Sequence, residues 1–172
     1  VVAARSTTGE CALYPVVETV HQNHICHTVT MPAPVSLDIQ REAQRVAGNV
    51  LTALGGAGVF GIELFLTAAG EILVNEVAPR VHNSGHITMD ANITSQFEQH
   101  IRAIMGMPLG DTSLVTPVGV MINILGERTG PAEPSGVEEA EALGNVNVHL
   151  YGKKDTKKER KMGHINVLAA TH

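Results

Sequence analysis

The sequence predicts an α+β fold based mainly on antiparallel sheet. Segments typical of strands come in two groups, and a single long helical pattern lies between them. Residues 58–86 contain two apolar runs separated by a short glycine-containing turn, which is the pattern of a hairpin. Apolar residues make up 44% of the 172 residues and aromatic residues only 3%, so the predicted core is aliphatic.

The first predicted strands lie before the helix. Val1 to Ala4 and the stretch CALYPVVETV (11–20) are apolar and flank a short turn. The stretch ICHTVTMPAPV (25–35) predicts a further strand. Pro32 and Pro34 end it, because proline cannot donate the main-chain hydrogen bond that a sheet requires.

The next segment predicts an amphipathic helix. Ser36 is a suitable N-cap, since its hydroxyl can accept a hydrogen bond from a free main-chain N–H of the first turn. Gly55 is a typical C-terminal stop. Between them, apolar residues recur with helical spacing and predict the buried face: Ala43, Val46, Ala47, Val50, Leu51 and Leu54.

The hairpin that follows (58–78) contains two glutamates whose relative position depends on the turn. A two-residue Ala-Gly loop pairs Glu63 with Glu76 and Phe65 with Val74, and a four-residue loop gives the same register. A three-residue loop would place the two glutamates on opposite faces of the ribbon. Apolar residues along the other face predict that the ribbon is covered: Ile62, Leu64, Leu66, Leu73 and Val77.

Two carboxylates that face each other across a covered hairpin repel one another, so they need a compensating partner. One interpretation is a divalent cation held by both, and Mg²⁺ suits such hard oxygen ligands. The alternative is a structural salt bridge in which Arg80 neutralises one of the glutamates. The spacing alone does not decide between these two interpretations.

The loop after the hairpin, NEVAPRVHNSGH (75–86), concentrates polar chemistry in a few positions. Arg80 offers a planar fork that can bind phosphate or carboxylate. Ser84 and Gly85 allow main-chain N–H groups to approach an anion closely. Two histidines, His82 and His86, lie beside them, and this combination favours a functional site over a purely structural loop.

A second helix is predicted to start at Ser95, with Glu98 three residues later completing a capping box. It is predicted to end at Gly106 and Pro108. Its apolar residues are predicted to point inward: Phe97, Ile101, Ile104 and Met105.

The remaining residues predict mostly strands. PVGVMINILG (117–126) is typical of a buried strand, NVNVHLY (145–151) and GHINVLAA (163–170) of two more, and a short helix starts at Val137. The turn-rich stretch after Gly126 predicts a division of the chain. Residues 1–125 are predicted to form the main unit and residues 126–172 a small β-rich lobe.

Charge and cysteine content exclude several classes of protein. The formal net charge of −5 argues against general affinity for nucleic acid, although KKDTKKERK (153–161) carries six of the twelve Lys and Arg residues. On composition alone, this basic run is a solvated loop. Cys11 and Cys26 form no disulfide framework and are typical of free thiols in a reducing compartment. No apolar run approaches 18 residues, so we expect a cytoplasmic protein without membrane contact.

These motifs carry a family resemblance over nearly the whole chain. YPVVETVHQNHI, GVFGIELFLTAAGEILVNEVAPRVHNSGHIT, TSQFEQHIRAIMGMPLG, VMINILGE and HLYGK…RKMGHINV resemble the second half of the N5-carboxyaminoimidazole ribonucleotide synthetase family of ATP-grasp enzymes. The resemblance implies the C-terminal lobe of an ATP-grasp fold followed by a small β-rich lobe. It also implies the reaction: ATP and bicarbonate give carboxyphosphate and ADP, and the carboxyl group passes to 5-aminoimidazole ribonucleotide in purine biosynthesis.

The same resemblance implies roles for individual residues. Mg²⁺, or Mn²⁺ in its place, would bind to Glu63 and Glu76, and ATP would contact Glu76, Asn75 beside it, and His21. The bicarbonate and ribonucleotide end would be formed by Arg80, His82, Asn83 and Ser84, with the first three acting in catalysis. The 5′-phosphate would bind to Lys153, Arg160 and Lys161. Lys157, Lys158 and Glu159 depart from the family's Arg-Pro-Gly-Arg-Lys pattern, which leaves the role of Lys157 open.

The partners that the resemblance implies are 5-aminoimidazole ribonucleotide, bicarbonate, a second copy of the full-length enzyme and the N-terminal half. The sequence begins without Met, directly in a strand-like segment, so we expect that it starts within a larger protein. Because it lacks a glycine-rich phosphate loop, we expect it to be inactive alone. Two alternatives remain. One is another ATP-grasp ligase, a transformylase or a biotin-carboxylase relative. The other is a non-catalytic fragment that binds a ribonucleotide.

Overall fold

The computed structural model describes residues 1–171 and contains two antiparallel sheets, of four and five strands, with helices packed against them. The predicted α+β class is confirmed. None of the helices in the described part of the chain combines the length and apolar character needed to cross a bilayer.

The four-stranded sheet has the order β2-β1-β5-β6 and carries the predicted hairpin at one edge. Side chains alternate between its faces, as a pleated strand requires. Ala3, Phe60 and Ile62 pack on one face with helix α1 (Leu37–Leu54), and Val2 and Val59 pack on the other face with Tyr14. The strands are β1 (Val2–Arg5), β2 (Cys11–Leu13), β5 (Gly58–Leu66) and β6 (Ile72–Ala78).

Helix α1 (Leu37–Leu54) begins and ends where the sequence predicts. The Ser36 hydroxyl accepts a hydrogen bond from the Ile39 N–H at 3.4 Å, and Gly55 ends the helix with φ of 68°, a conformation that favours glycine. Within the predicted apolar face, Ala43, Ala47 and Leu51 are buried and Leu54 is exposed. Two alanines at the contact allow the helix axis to approach the sheet closely.

The five-stranded sheet has the order β3-β4-β7-β11-β9 and joins distant parts of the chain. Strand β11 pairs with β7 on one side and β9 on the other, so the predicted boundary at residue 125 falls at the end of a strand in the middle of one sheet. Residues 126–171 add β9 and β11 to this sheet and also contain a two-stranded ribbon of their own. The strands are β3 (Glu18–Gln22), β4 (Ile25–Met31), β7 (Val118–Leu125), β9 (Val146–Leu150) and β11 (Lys161–Ala169).

The short elements cover this second sheet. Helix α2 (Thr88–Ala91), which the sequence patterns do not predict, packs against β11 on one face, and helix α4 (Val137–Glu141) packs against β9. A two-stranded ribbon, β8 (Gly130–Pro131) with β10 (Asp155–Thr156), tethers the basic segment to the linker before α4.

Helix α3 (Gln96–Ile104) begins at Ser95 as predicted, and the Ser95 hydroxyl accepts from the Glu98 N–H at 3.2 Å. The prediction that the apolar side chains of this helix point inward is wrong. Its buried residues include Gln96 and Gln99, whose amides pair with the main chain of neighbouring loops. Burial of a polar group is stabilising only when it is hydrogen-bonded, and these loops provide the partners. The apolar residues Phe97, Ile101, Ile104 and Met105 are exposed instead.

Candidate active site

The facing glutamates of the hairpin are positioned by a β-bulge. Glu63 pairs directly with Glu76, as predicted, although the loop has three residues. Thr67 donates its N–H to the Glu71 carbonyl at 2.9 Å, which shifts the register near the tip, and the predicted pairing of Phe65 with Val74 is wrong. A three-residue loop alone would separate the glutamates. One extra residue in β6 restores their pairing.

That extra residue is Asn75. Leu64 pairs with Val74 and Glu63 with Glu76, which leaves Asn75 without a partner across the ladder. A bulge turns its side chain away from the alternation of a regular strand. The Asn75 amide Nδ2 consequently donates to Glu63 Oε2 at 3.3 Å. The bulge therefore brings the predicted Asn75 beside the predicted carboxylates.

The carboxylate pair is more exposed than the apolar pattern predicts. Glu76 is exposed, and the Glu63 side chain keeps 34% of its surface accessible. The outer half of the hairpin is also uncovered, with Leu66 and Leu73 about half exposed at 47% and 50%. The prediction of a covered ribbon is wrong there, although Leu64 and Ile72 still pack against the core cluster that includes α1. Water therefore reduces the repulsion between the two charges.

The alternative salt bridge to Arg80 is absent among residues 1–171. The Arg80 guanidinium donates to the Val81 carbonyl at 3.0 Å and forms no ion pair with a carboxylate in that range. His82 is the basic group that faces Glu63, with 3.5 Å between His82 Nε2 and Glu63 Oε1. Arg80 keeps its fork free for another anion.

His82 is held as a neutral donor. Its Nδ1 lies 2.9 Å from the Ser84 hydroxyl and accepts from the Ser84 N–H at 3.4 Å, which favours the tautomer with the ring proton on Nε2, toward Glu63. Burial lowers the pKa of His82, and the Glu63 carboxylate partly opposes that shift. The ring lies directly on β5: a Cβ at Gly61 would come within 2.5 Å of His82 Cγ.

Asn83 joins the loop to the second sheet. Its Nδ2 donates to Asn123 Oδ1 at 2.9 Å, and Asn123 Nδ2 donates back to Asn83 Oδ1 at 2.8 Å. Lys161 Nζ donates to the same Asn83 oxygen at 2.9 Å, and Asn123 also donates to the Cys26 carbonyl. This network places the Lys161 ammonium beside the loop that carries His82.

The cations predicted for the ribonucleotide phosphate lie near one another. Lys153 Nζ donates to the Lys161 carbonyl, and Arg160 donates to the Asp155 carbonyl at 2.6 Å. Burial lowers the pKa of Lys153, and the positive charges of Arg160 and Lys161 lower it further. None of these three cations pairs with a carboxylate within residues 1–171. An anion bound here would relieve their mutual repulsion.

A cleft of about 420 Å³ lies where the two sheets meet. A narrower apolar cleft of about 280 Å³ adjoins it and is lined by Asn75. Glu76, Arg80, Lys153 and Arg160 lie outside the lining of the larger cleft. The structure thus brings six of the predicted site residues together in the larger cleft: His21, Glu63, His82, Asn83, Ser84 and Lys161.

Several lining residues have no counterpart in the sequence predictions. Thr19, His24 and Cys26 line the larger cleft, and the stretch HQNHICH (21–27), with three histidines in seven residues, is the signal that could have identified His24 and Cys26. Burial raises the pKa of the Cys26 thiol, which keeps it protonated. Asn123 carries a weaker signal, a single amide within an otherwise apolar strand.

The donor set fits a divalent cation that obtains most of its ligands from a substrate. Within residues 1–171 no three His, Cys, Asp or Glu side chains converge on one point. The facing carboxylates of Glu63 and Glu76, with the Asn75 amide beside them, supply hard oxygen atoms on one face of the hairpin. Mg²⁺ is commonly held by one or two carboxylates plus phosphate oxygens and water, so these residues suit it.

Three stacked imidazoles lie behind the site and join α2 to the second sheet. The His164 ring lies 5.2 Å from His86 and 4.7 Å from His149, centroid to centroid. His149 Nε2 lies 2.8 Å from Asp90 Oδ2, and the Tyr151 hydroxyl lies 2.9 Å from His164 Nδ1. Burial is the main reason that the pKa values of His86 and His164 are lowered from 6.5 to about 4.

Acid is therefore expected to destabilise the fold through His86 and His164. Their stabilisation is complete above the unfolded pKa of 6.5 and is lost as the pH falls toward 4, because only the unfolded chain binds the protons there. Each histidine contributes a slope of at most about 1.4 kcal/mol per pH unit. Urea unfolding at pH 7, 6 and 5 measures this slope, and His164→Gln should reduce it. A slope that is unchanged in this variant would contradict the assignment.

Comparison with known proteins supports the class that the fold and the site define. Residues 1–97 match the ATP-grasp domain family, so the chain belongs to the ATP-grasp family. Residues 119–172 match the C-terminal domain family of phosphoribosylaminoimidazole carboxylase. The branch of the family that the sequence motifs predict is confirmed by individual relatives.

One relative is the phosphoribosylaminoimidazole carboxylase of Ogataea methanolica, which is 48% identical over 98% of this chain and 32% of its own length. A crystal structure of N5-carboxyaminoimidazole ribonucleotide synthetase from Thermotoga maritima has a TM-score of 0.90 at 50% identity, covering 98% of this chain and 46% of that one. The N5-carboxyaminoimidazole synthase of Aspergillus clavatus, crystallised with ADP and 5-aminoimidazole ribonucleotide, has a TM-score of 0.87 at 39% identity, covering 99% and 46%. The chain thus spans a third to a half of these proteins.

Proposed function

We propose that this chain supplies the metal-binding and acceptor-binding part of an N5-carboxyaminoimidazole ribonucleotide synthase. The observation that carries the proposal is the arrangement around the cleft between the two sheets. Glu63 of the carboxylate pair, the loop that carries His82, and Lys161, which forms no ion pair within residues 1–171, line this cleft together. Phosphoryl transfer followed by carboxylation needs these three features, because charge neutralisation and positioning dominate such reactions.

The proposed reaction has two steps. A bicarbonate oxygen attacks the γ-phosphorus of ATP, the bond to the β-phosphate oxygen breaks, and ADP and carboxyphosphate result. The exocyclic amine of 5-aminoimidazole ribonucleotide then bonds to the carboxyl carbon, the C–O bond to phosphate breaks, and the amine loses a proton. Carboxyphosphate reacts readily with water, so the site must exclude solvent during this sequence.

Each side chain has a role within this scheme. Glu63 and Glu76, with Asn75, would hold Mg²⁺, which neutralises phosphate charge when bound. Neutral His82 donates from Nε2, and the free fork of Arg80 suits bicarbonate or a carboxylate. Asn83 and Ser84 orient the ribonucleotide near the Lys161 ammonium.

The nucleotide would occupy the apolar cleft beside this site. Val16, Ile39 and Phe65 contribute apolar surface to it, which suits a purine ring, and His21 lines both clefts. The unmatched parts of the longer relatives would cover the phosphates of ATP and complete the enzyme. We propose that this longer enzyme is a homodimer and that the 172-residue chain alone does not turn over.

The first test is binding of 5-aminoimidazole ribonucleotide to the 172-residue chain by calorimetry, together with phosphate release from Mg·ATP and bicarbonate. Binding without turnover is expected.

Lys161→Met should weaken binding about tenfold or more, since a charge-assisted hydrogen bond contributes about 1.5–3 kcal/mol. Lys158→Met is the matched control, because Lys158 is exposed in the same basic run and lies outside the cleft lining. Absence of ribonucleotide binding would overturn the proposed function, and ribonucleotide-dependent turnover would contradict only the inactivity of the isolated chain.

A further inference from the structure

The buried amide of Gln96 contacts the main chain of His82 at two points. Gln96 Oε1 accepts from the His82 N–H at 3.0 Å, and Gln96 Nε2 donates to the His82 carbonyl at 2.8 Å. The second N–H of the amide lies 2.9 Å from His86 Nδ1. The side chain is fully buried, and its oxygen and both of its N–H groups have partners.

The surrounding residues leave space for this contact. A Cβ at Gly85 would come within 2.3 Å of Gln96 Oε1, so glycine is required there for the amide to reach His82. The Thr88 hydroxyl donates to the Gly85 carbonyl at 2.6 Å and accepts from the Gln96 N–H at 2.8 Å. The loop, α2 and the first turn of α3 therefore fix the Gln96 side chain from several directions.

Fixing both main-chain groups of His82 restricts where its ring can lie. The residue has φ of −123° and ψ of 149°, an extended conformation, and Gln96 pairs with it as a neighbouring strand would. With the main chain fixed, the ring fits between Gly61 beneath it and Ser84 beside it. Its Nε2 then faces Glu63.

We propose that Gln96 is a positioning residue for the carboxylation site, which holds the His82 imidazole in one orientation and one tautomer. The inference rests on the proposed function for the significance of His82, and on the geometry alone for the contact. Gln96 lies outside the linings of both clefts. It therefore acts through His82 and does not itself touch a substrate bound there.

The same helix provides a matched control. Gln99 is also fully buried, donates to the Gly110 carbonyl at 2.8 Å and accepts from the Gly110 N–H at 2.7 Å. Gly110 lies outside the linings of both clefts. Gln96→Met and Gln99→Met thus remove the same kind of buried amide, but only the Gln96 amide contacts His82.

The experiment compares these variants in the 172-residue chain by NMR of the imidazole nitrogens and by NOE contacts of the His82 ring. In the wild type, we expect a single tautomer protonated at Nε2 and NOEs from the ring to Gly61. Gln96→Met should give mixed tautomers and weaken those NOEs, whereas Gln99→Met should leave both unchanged despite a similar fall in melting temperature. An unchanged His82 ring in Gln96→Met would overturn the inference.

Gln96→Glu keeps the question testable if Gln96→Met does not fold. Burial keeps the new carboxyl group protonated, so it retains the side-chain length and accepts from the His82 N–H, but its single O–H cannot serve both the His82 carbonyl and His86 Nδ1. We expect loss of the single tautomer, and its retention would overturn the inference. No substrate enters this measurement, so failure of ribonucleotide binding would overturn the proposed function without affecting the comparison.

Discussion

Substitution of glutamine for Glu76 is expected to abolish metal-dependent nucleotide binding while leaving the fold intact. Glu76 is exposed and faces Glu63 across the hairpin, so its charge is available to a cation and is not needed for packing. Loss of a residue that hydrogen-bonds to a metal ligand lowers metal affinity about 10–100-fold. Loss of a direct ligand should therefore lower metal affinity about 100-fold or more. Facing like charges oppose folding, so the free energy of unfolding should change by less than about 1 kcal/mol, toward greater stability.

The measurement uses Mn²⁺ as a paramagnetic substitute for Mg²⁺. Titration of the 172-residue chain with Mn²⁺·ADP should broaden the amide signals around Glu63 and Asn75, and Glu76→Gln should remove this effect. Glu71→Gln is the control, because Glu71 is an exposed glutamate in the loop of the same hairpin, where its main chain forms the turn. Equal broadening in wild type and Glu76→Gln would show that this carboxylate is not a metal ligand.

Substitution of alanine for Gly163 is expected to cause a large loss of stability. A Cβ at this position would lie 2.4 Å from the His149 carbonyl oxygen and 3.2 Å from Leu150 Cα, both main-chain atoms of β9. Strand β11 is hydrogen-bonded on both sides, so it cannot move away from β9 without disturbing β7. Overpacking against a main chain held in this way should cost about 2–4 kcal/mol. Lys161, two residues away, would be displaced as well.

Urea unfolding at pH 7 measures this loss, and Gly48→Ala provides the control. Gly48 lies in the interior of α1, and apart from its chain neighbours and the nearby helix backbone no atom lies within 4 Å of the position that a Cβ would occupy. Alanine there should stabilise the chain by about 0.5–1 kcal/mol, because glycine loses more conformational entropy in a helix. A Gly163→Ala variant within about 0.5 kcal/mol of the wild type would contradict the steric argument, since surface substitutions without special contacts have effects of that size.

The elements defined by local signals were predictable. Ser36 and Gly55 mark the ends of α1, and Ser95 the start of α3, because capping is satisfied by atoms within one turn of the same helix. The pairing of Glu63 with Glu76 was also predicted, but the route to it was not. The predicted loop has two residues or four, whereas the structure reaches the same pairing through a three-residue loop and the bulge at Asn75.

The misplaced faces of α3 have a different cause. Periodicity assumes that the apolar side of a helix is the buried side. Here Gln96 and Gln99 are buried because loops that are distant in sequence present unpaired main-chain groups to them. The hydrogen bonds they form depend on residues 82 and 110, which no local pattern in the helix reveals. The burial of a polar residue is therefore decided by its partners.

The sequence by itself determined the family and the limits of the longer helices and strands, because motifs and capping depend on residues close together in the chain. Only the tertiary structure decided which residues meet. The five-stranded sheet brings Lys161 to Asn83, and packing of α3 on the loop fixes His82 opposite Glu63. These contacts join residues far apart in sequence, and their free energy depends on the whole arrangement of both sheets. Local patterns carry no information on that arrangement.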